Sequence, residues 1–469
     1  MHSITAITFA VALALAGTLS TAAADDSALI DILQRKGILS EKEARSVREE
    51  MKQGTESAPK IKLSSAVSEM KLYGDLRMRY QYDEQDSQLL PNKGGGANVS
   101  QNSRWRFRLR LNADFKLGEH WFGGAELQSA NASDGGNQTY ENGFSDYDIF
   151  ISKAFFGWHP NEWLTATVGK MANPFYATEL IWDSDINPTG VAEAMDLHQL
   201  FAPDPIEGFA KDGKTAKKMK PAESPWTLSL VAGQFLFDDN KESAGPDYDS
   251  STDAFLFETQ LIGSYKFGGT KVTFAPAWLT YLNGSVSGVV DATGFTDSAL
   301  VSGATRNLNL LLAPGDISFH MGGLKTKIYW DFSYNIDGSK RVQDTYRLAN
   351  NVGNPQHTSE DDFAYLIGLQ IGENKKHGDW SLLVNWRQVG LGAVDPNLND
   401  SDYAQSVLNI RGVKGVVGYN FTDFAVGTVT YGYAWNLRDS LYGGEATGGS
   451  VVAGANVAKV LLLEFMLKF

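Results

Sequence analysis

The chain has 469 residues, a formal net charge of −14, no Cys, 47 Gly and 12% aromatic residues. That length suits about two or three soluble domains or one large barrel. The missing thiols exclude disulfides, Cys-ligated zinc, iron–sulfur clusters and covalent c-type haem, and the acidic balance argues against nucleic acid as a partner.

Residues 4–19 are mostly Ala, Leu, Ile and Val, and Ala22 and Ala24 then form a small-residue A-x-A site ahead of Asp25 and Asp26. This is the plan of a signal peptide over residues 1–24, although His2, and no Lys or Arg, precedes the apolar run. The run is shorter than the roughly 20 residues of a spanning helix, and no later stretch is long enough either, so a membrane reading has to be a β-barrel reading.

Residues 25–68 read as a short helical segment and a linker. Leu29, Ile30, Leu33 and Ile38 recur at helical spacing, Gly37 breaks the run, and Ser40 with Glu43 forms a capping box for a second helix. Two readings stand for this piece: a loosely ordered leader, or a small coiled coil or cell-wall contact. Over residues 54–68, with Gly54, Thr55, Ser57, Pro59, Ser64 and Ser65, the composition is that of a linker.

From Met70 the pattern changes to period two. Leu72, Leu76, Met78, Tyr80 and Tyr82 alternate with Lys71, Asp75, Arg77, Arg79 and Gln81. In 103–117, Trp105, Phe107, Leu109, Leu111, Ala113, Phe115 and Leu117 share one face, and Arg104, Arg106, Arg108, Arg110, Asn112, Asp114 and Lys116 share the other. A wall with lipid outside and water inside explains both faces at once. Further strands are expected over 119–131, 147–158, 163–171, 225–237, 255–267, 270–283, 304–313, 317–335, 362–373, 379–391, 405–420, 424–437 and 454–469. Tight turns at Gly268-Gly269 and from Asn420 to Asp423 contrast with long polar connections such as 132–146, 336–361 and 392–403. Bacterial barrels close with an even number of strands, so one more strand is expected within 173–224 or 284–303. The fold class is therefore an all-β transmembrane, closed antiparallel β-barrel of about 16 strands, with 18 as the alternative, spanning 69–469. Trp121, Trp158, Trp163, Tyr281, Trp380, Trp386, Tyr419, Tyr431, Tyr433 and Trp435 are expected to form aromatic girdles.

The last strand ends the chain at Phe469. Val457, Leu461, Leu463, Phe465, Leu467 and Phe469 fall on one face, and Asn456, Glu464 and Lys468 on the other. Such an apolar strand is an aggregation hazard as an open edge, and closure onto the first strand removes the edge. It resembles the C-terminal signature of bacterial outer-membrane β-barrels, which gives Phe469 a role in closure and assembly.

The stretches GKMANPFY and IWDSDINPTG, the leading KGILS-x-x-E helix and the terminal Phe together resemble the putative-porin family of Gram-negative outer membranes. The resemblance covers essentially the whole chain after residue 24. It implies a water-filled barrel in the bacterial outer membrane for passive diffusion of small hydrophilic solutes, a periplasmic place for 25–68, and a loop folded into the lumen as a constriction. Homotrimers are common among similar porins, so a homotrimer is one assembly it admits.

The inward loop is expected around 173–200, where Glu179, Asp183, Asp185, Glu193 and Asp196 make it acidic. Arg77, Arg79, Arg104, Arg106, Arg108 and Arg110 form a basic ladder on the lumen face of the first two strands. Two readings of the ladder stand. It faces the loop across a constriction and selects solutes by charge, or it pairs with lumen carboxylates and braces the wall. The ladder gives a weak lean to anions.

Asp183-x-Asp185-x-Asn187 has the look of a calcium loop but lacks the following Gly and the later Glu, with Pro188 and Ala194 there instead. Asp395, Asn397, Asn399, Asp400 and Asp402 read as a solvated extracellular loop, with a divalent ion or a lipopolysaccharide bridge as the other reading. No catalytic motif, metal set or cofactor is expected. The rival function is a structural barrel serving as a sleeve or docking scaffold for a partner such as a redox protein.

Overall fold

The computed structural model describes residues 63–86, 99–130, 136–140, 146–201, 207–209, 216–218, 224–238, 253–282, 308–342, 361–438 and 457–469. The signal peptide expected over 1–24 and all but the end of the helical segment and linker expected over 25–68 lie outside the described residues; of that end, Val67 and Ser68 already belong to the first strand. Among the described residues no helix is long and apolar enough to cross a membrane.

Sixteen antiparallel strands form one closed wall. They are β1 (Val67–Asp86), β2 (Val99–Leu117), β3 (Trp121–Ser129), β4 (Ile149–Asn161), β5 (Leu164–Lys170), β6 (Thr189–Asp196), β7 (Trp226–Asp238) and β8 (Ala254–Phe267). Next come β9 (Thr270–Phe274 and Ala277–Leu282), β10 (Asn309–Leu312 and Gly315–Met321), β11 (Leu324–Asn335) and β12 (Phe363–Gly372). The wall ends with β13 (Trp380–Val389), β14 (Ile410–Asn420), β15 (Ala425–Asn436) and β16 (Val457–Lys468). Each strand pairs with its sequence neighbours, and β16 returns to β1 with Phe465 opposite Met78 and Leu463 opposite Tyr80. Phe469 adds two backbone hydrogen bonds to Gly74, of 2.8 and 3.0 Å.

The extra strand expected inside 173–224 is β6. The segment 317–335 divides at Gly322-Gly323, where both residues have positive φ and turn the chain into a tight hairpin. Its first half joins Asn309–Leu312 to make β10. β9 and β10 are each interrupted at an Ala-Pro pair, Ala275-Pro276 and Ala313-Pro314. Proline has no N–H for the ladder. The two gaps lie side by side, and the Ala275 N–H donates to the Pro314 carbonyl at 2.9 Å.

The two faces of the wall follow the alternation. On β2, Trp105 is 62% exposed while Arg108, three residues on, is 4% exposed. Ile151, Phe156, Trp278, Ile367, Val417, Tyr431 and Phe465 continue the exposed apolar belt around the barrel. Water would not tolerate so continuous a belt, and a bilayer requires it. Tyr281 departs from the expected girdle. It turns inward, packs on Phe237 and donates its hydroxyl to Asp395 at 2.6 Å.

The lumen is not wetted all round. Leu256, Leu279, Leu310, Leu366 and Phe235 point inward and are buried. They form one cluster with Phe175, Leu180, Trp182, Val394, Leu398, Tyr403 and Val407, which lie on two loops folded inside the wall. One sector of the interior is a dry core, and the sector formed by β1 and β2 is charged. Both loops enter from the rim that carries the long connections. The opposite rim has tight turns such as 118–120, 268–269 and 322–323, and also the 197–225 connection.

Candidate functional site: two inward loops and an arginine wall

The first inward loop, residues 171–188, joins β5 to β6. Leu180, Ile181 and Trp182 are buried against the wall. Polar contacts fix the backbone over β8, β10 and β11. Gln260 clasps Tyr176, accepting from its N–H at 2.7 Å and donating to its carbonyl at 2.8 Å. The Tyr176 hydroxyl donates to Asp316, the Thr178 hydroxyl to Asp331 at 2.7 Å, and the Trp182 indole N–H to Glu258 at 3.0 Å. Buried donors and acceptors that find partners hold a loop in one conformation, although Asp331 Oδ1 is left without one.

The second inward loop, residues 390–409, joins β13 to β14. It corrects the reading of 392–403 as a solvated loop: Asp395 is 2% exposed, and Asn399 and Asp400 are also buried. The physical reason is its apolar set, Leu391, Val394, Leu398, Val407 and Leu408, which packs into the lumen core and carries the polar residues with it. Ala404, Ser406 and Asn409 have φ of 52°, 60° and 58° and fold the loop back on itself.

The loops lock to each other. The Asp183 N–H donates to the Leu398 carbonyl at 2.6 Å, and the Asp400 N–H to the Glu179 carbonyl at 3.1 Å. Ser401 gives its backbone N–H and its hydroxyl to Asp183 Oδ2, each at 3.0 Å. Arg387 on β13 reaches both loops, lying 3.3 Å from Glu179 and 3.3 Å from Asp400, with the Tyr403 ring 4.1 Å from its guanidinium. Lys414 on β14 holds Asp400 at 2.7 Å.

Between the loops lies a cavity of about 550 Å³. Its polar lining includes Asn173, Thr178, Glu179, Asp183, Ser184, Asn187, Asp400, Asp402 and Lys414. Burial, with Asp400 nearby, pushes the Asp183 carboxyl up to about 6. Asp402 moves the other way. Burial opposes its charge, but Arg79 overrides that and holds it below the ordinary carboxylate range.

Five of the six ladder arginines are paired. Arg79 is clamped by Asp402 at 2.6 Å and Glu464 at 2.8 Å, and Arg77 meets Glu464 at 3.2 Å. Arg104 pairs with Asp83 at 3.0 Å, and Arg110 with Asp75 at 2.7 Å. Arg108 spans from Asp75 to Asp185, 3.1 Å from each, and so ties the wall to the first loop. Arg106 makes no ion pair among the described residues. It donates to Gln81 Oε1 at 3.1 Å and to the Asn137 carbonyl at 3.2 Å. The bracing reading therefore describes most of the ladder, and Asp185 and Asp402 bring two of its members to the loops.

Two residues expected on the constriction are elsewhere. Glu193 and Asp196 lie on wall strand β6, because the inward loop ends at Pro188. Glu193 shares a face with Val191 and Met195, opposite that of the buried Ala192, and stands between Ala166 and Ala232 on the neighbouring strands. Asp196 caps a short helix, α1 (Leu197–Leu200), by accepting from the Gln199 N–H at 3.0 Å. The calcium-like triplet is also dispersed. Asp183 turns to Ser401, Asp185 to Arg108, and Asn187 donates to Ser152 at 2.8 Å.

A family model described as Putative porin matches residues 35–308. The chain belongs to the Putative porin family. Solved structures similar to this porin include a mutant of the Rhodopseudomonas blastica porin, at 10% identity over 86% of this chain and 100% of that one, with a TM-score of 0.39. A loop-deletion mutant of OmpT, an outer membrane protein of Vibrio cholerae, gives the same identity, coverage and TM-score, 10%, 86% and 100%, and 0.39. None of the curated proteins compared with the porin matches it. Family and closed barrel together put the porin in an outer membrane.

Proposed function

We propose that this porin is a passive diffusion channel for small hydrophilic solutes, exported with residues 1–24 cleaved, and working without catalysis or energy coupling. One observation carries the reading: a closed wall, apolar outside, encloses a polar cavity between two loops that are fastened to the wall. Flow is driven by the solute gradient, and the lining sets which solutes pass. The sleeve reading has less support, because the two loops occupy the interior that a partner would need.

The lean to anions rests on Arg106. The other ladder arginines each face a carboxylate within ion-pair distance. A homotrimer draws support from Glu193, a carboxylate on the outward face between two alanines, where a second copy would shield it from lipid. Reconstitution of the purified protein in planar bilayers tests the function. Stepwise conductance in the protein alone is expected, and a silent, folded protein overturns the reading.

A further inference from the structure

Resting on the channel reading, the inference concerns which groups set its charge preference. Most charges around the cavity cancel in pairs. Asp402 is bound by Arg79, and Asp400 and Glu179 share Arg387, with Lys414 on Asp400 as well. Asp183 is different. It lines the cavity, yet its hydrogen-bond donors are neutral: the Ser401 N–H and hydroxyl, and the Asp185 N–H. Among the described residues it makes no ion pair. Its charged neighbours Asp400 and Asp185 are themselves anions, occupied by Lys414 and Arg108.

Arg106 is the opposite case, a cation held by two neutral acceptors. It sits directly across the β1–β2 ladder from Arg79, whose partner Asp402 lines the same cavity as Asp183. One unbalanced anion thus lines the cavity, and one unbalanced cation stands on the wall beside Arg79, whose partner Asp402 lines the cavity too.

We propose that Asp183 is a specificity-determining residue of this channel: ionised, it offsets Arg106 and keeps ion preference weak, and protonated, it leaves Arg106 to favour small anions. Burial between two loops and the adjacent Asp400 make protonation accessible in mild acid, near pH 6. As the pH falls through that range the lining loses one negative charge while Arg106 keeps its positive one. The anion preference therefore rises in acid and fades towards neutrality.

The test is the chloride-to-potassium permeability ratio, read from reversal potentials in a KCl gradient across planar bilayers, at about pH 7.5 and about pH 4.5. The wild-type ratio should rise about two- to fivefold on acidification, the scale of one unit charge met a few ångströms away in a wetted pore. Asp183→Asn should show the raised ratio already at the higher pH and respond little to acid. Arg106→Gln should prefer potassium at the higher pH and lose that preference in acid. If Asp183→Asn fails to insert, the wild-type titration and Arg106→Gln decide the matter. A conducting wild type whose ratio ignores pH, or an Asp183→Asn protein that still follows the wild-type profile, overturns the inference and leaves the channel reading intact. A wild type that does not conduct overturns the channel reading itself.

Discussion

Among the described residues Arg387 is the one side chain that ion-pairs with both loops from the wall, so Arg387→Met is the most informative perturbation. Its side chain is 3% exposed and lies 3.3 Å from Glu179 on one loop and 3.3 Å from Asp400 on the other. Removing one member of a buried pair costs about 3–5 kcal/mol, since the remaining charge is stranded. Two facts pull the value to the lower end. Glu179 keeps 27% of its side chain exposed, and Asp400 retains Lys414 at 2.7 Å. The lost contact with the Tyr403 ring adds about 0.5–1 kcal/mol. A total of about 3 kcal/mol corresponds to an undocked-loop population raised on the order of 100-fold. Single-channel recording should show larger, noisier openings, and guanidinium unfolding in lipid should show a lower midpoint. A double-mutant cycle with Glu179→Gln should return a coupling of about 1–2 kcal/mol. Parental conductance, noise and midpoint in Arg387→Met would refute the claim that this guanidinium fastens the loops.

Three further outcomes follow from the geometry. In Gly74→Val the new Cβ would collide with the Arg110 carbonyl oxygen and lie 2.8 Å from the Phe469 ring, so the fraction running as heat-modifiable folded protein on unboiled gels should fall sharply. Leu463→Arg places a cation on the outward, 42% exposed face of β16 and should cost about 2–4 kcal/mol in lipid vesicles if it sits near the bilayer midplane, whereas in a soluble sheet it would be nearly neutral. Because the folded Asp183 carboxyl titrates at about 6, above its ordinary 3.8, its contribution to stability is greatest in acid and is lost as the pH rises through 6. The stability of Asp183→Asn relative to the parent should therefore grow by up to about 3 kcal/mol between pH 4 and 7.5, measured from denaturant midpoints.

The wall was legible because lipid and water impose a period of two, and Trp105 and Arg108 obey it without exception. The terminal strand was legible for the same reason: Leu463 and Phe465 face out. The interior was harder. The loop 390–409 looks solvated, since Asp395, Asn399, Asp400 and Asp402 dominate its composition, while Leu391, Val394, Leu398, Val407 and Leu408 follow no regular period. A signal did exist on the wall. The stretch Leu310–Ala313 is apolar on both faces, and a strand apolar on both faces is covered on both. Lipid covers one side of it, so something dry had to cover the other. Glu193 and Asp196 were misplaced for a different reason. β6 is only eight residues long and follows directly on the inward loop, so its short alternation was absorbed into the preceding acidic run. Arg387 and Lys414 gave no cue of their own, because Arg387 is the lone cation of β13 and Lys414 shares an otherwise ordinary β14 with Arg411 alone.

The paired prolines of β9 and β10 act as a notch cut across two adjacent staves. Strands in a closed ring can in principle slide by two positions and still present oil-facing groups outward. Here a slide would carry Pro276 or Pro314 to a position where the neighbour requires a donor, or would strand the Ala275 amide that now reaches the Pro314 carbonyl. The cut thus works as an indexing mark. It fixes the height of Leu279 and Leu310, which pair with each other on one side of it, and with them the level at which the first loop can seat.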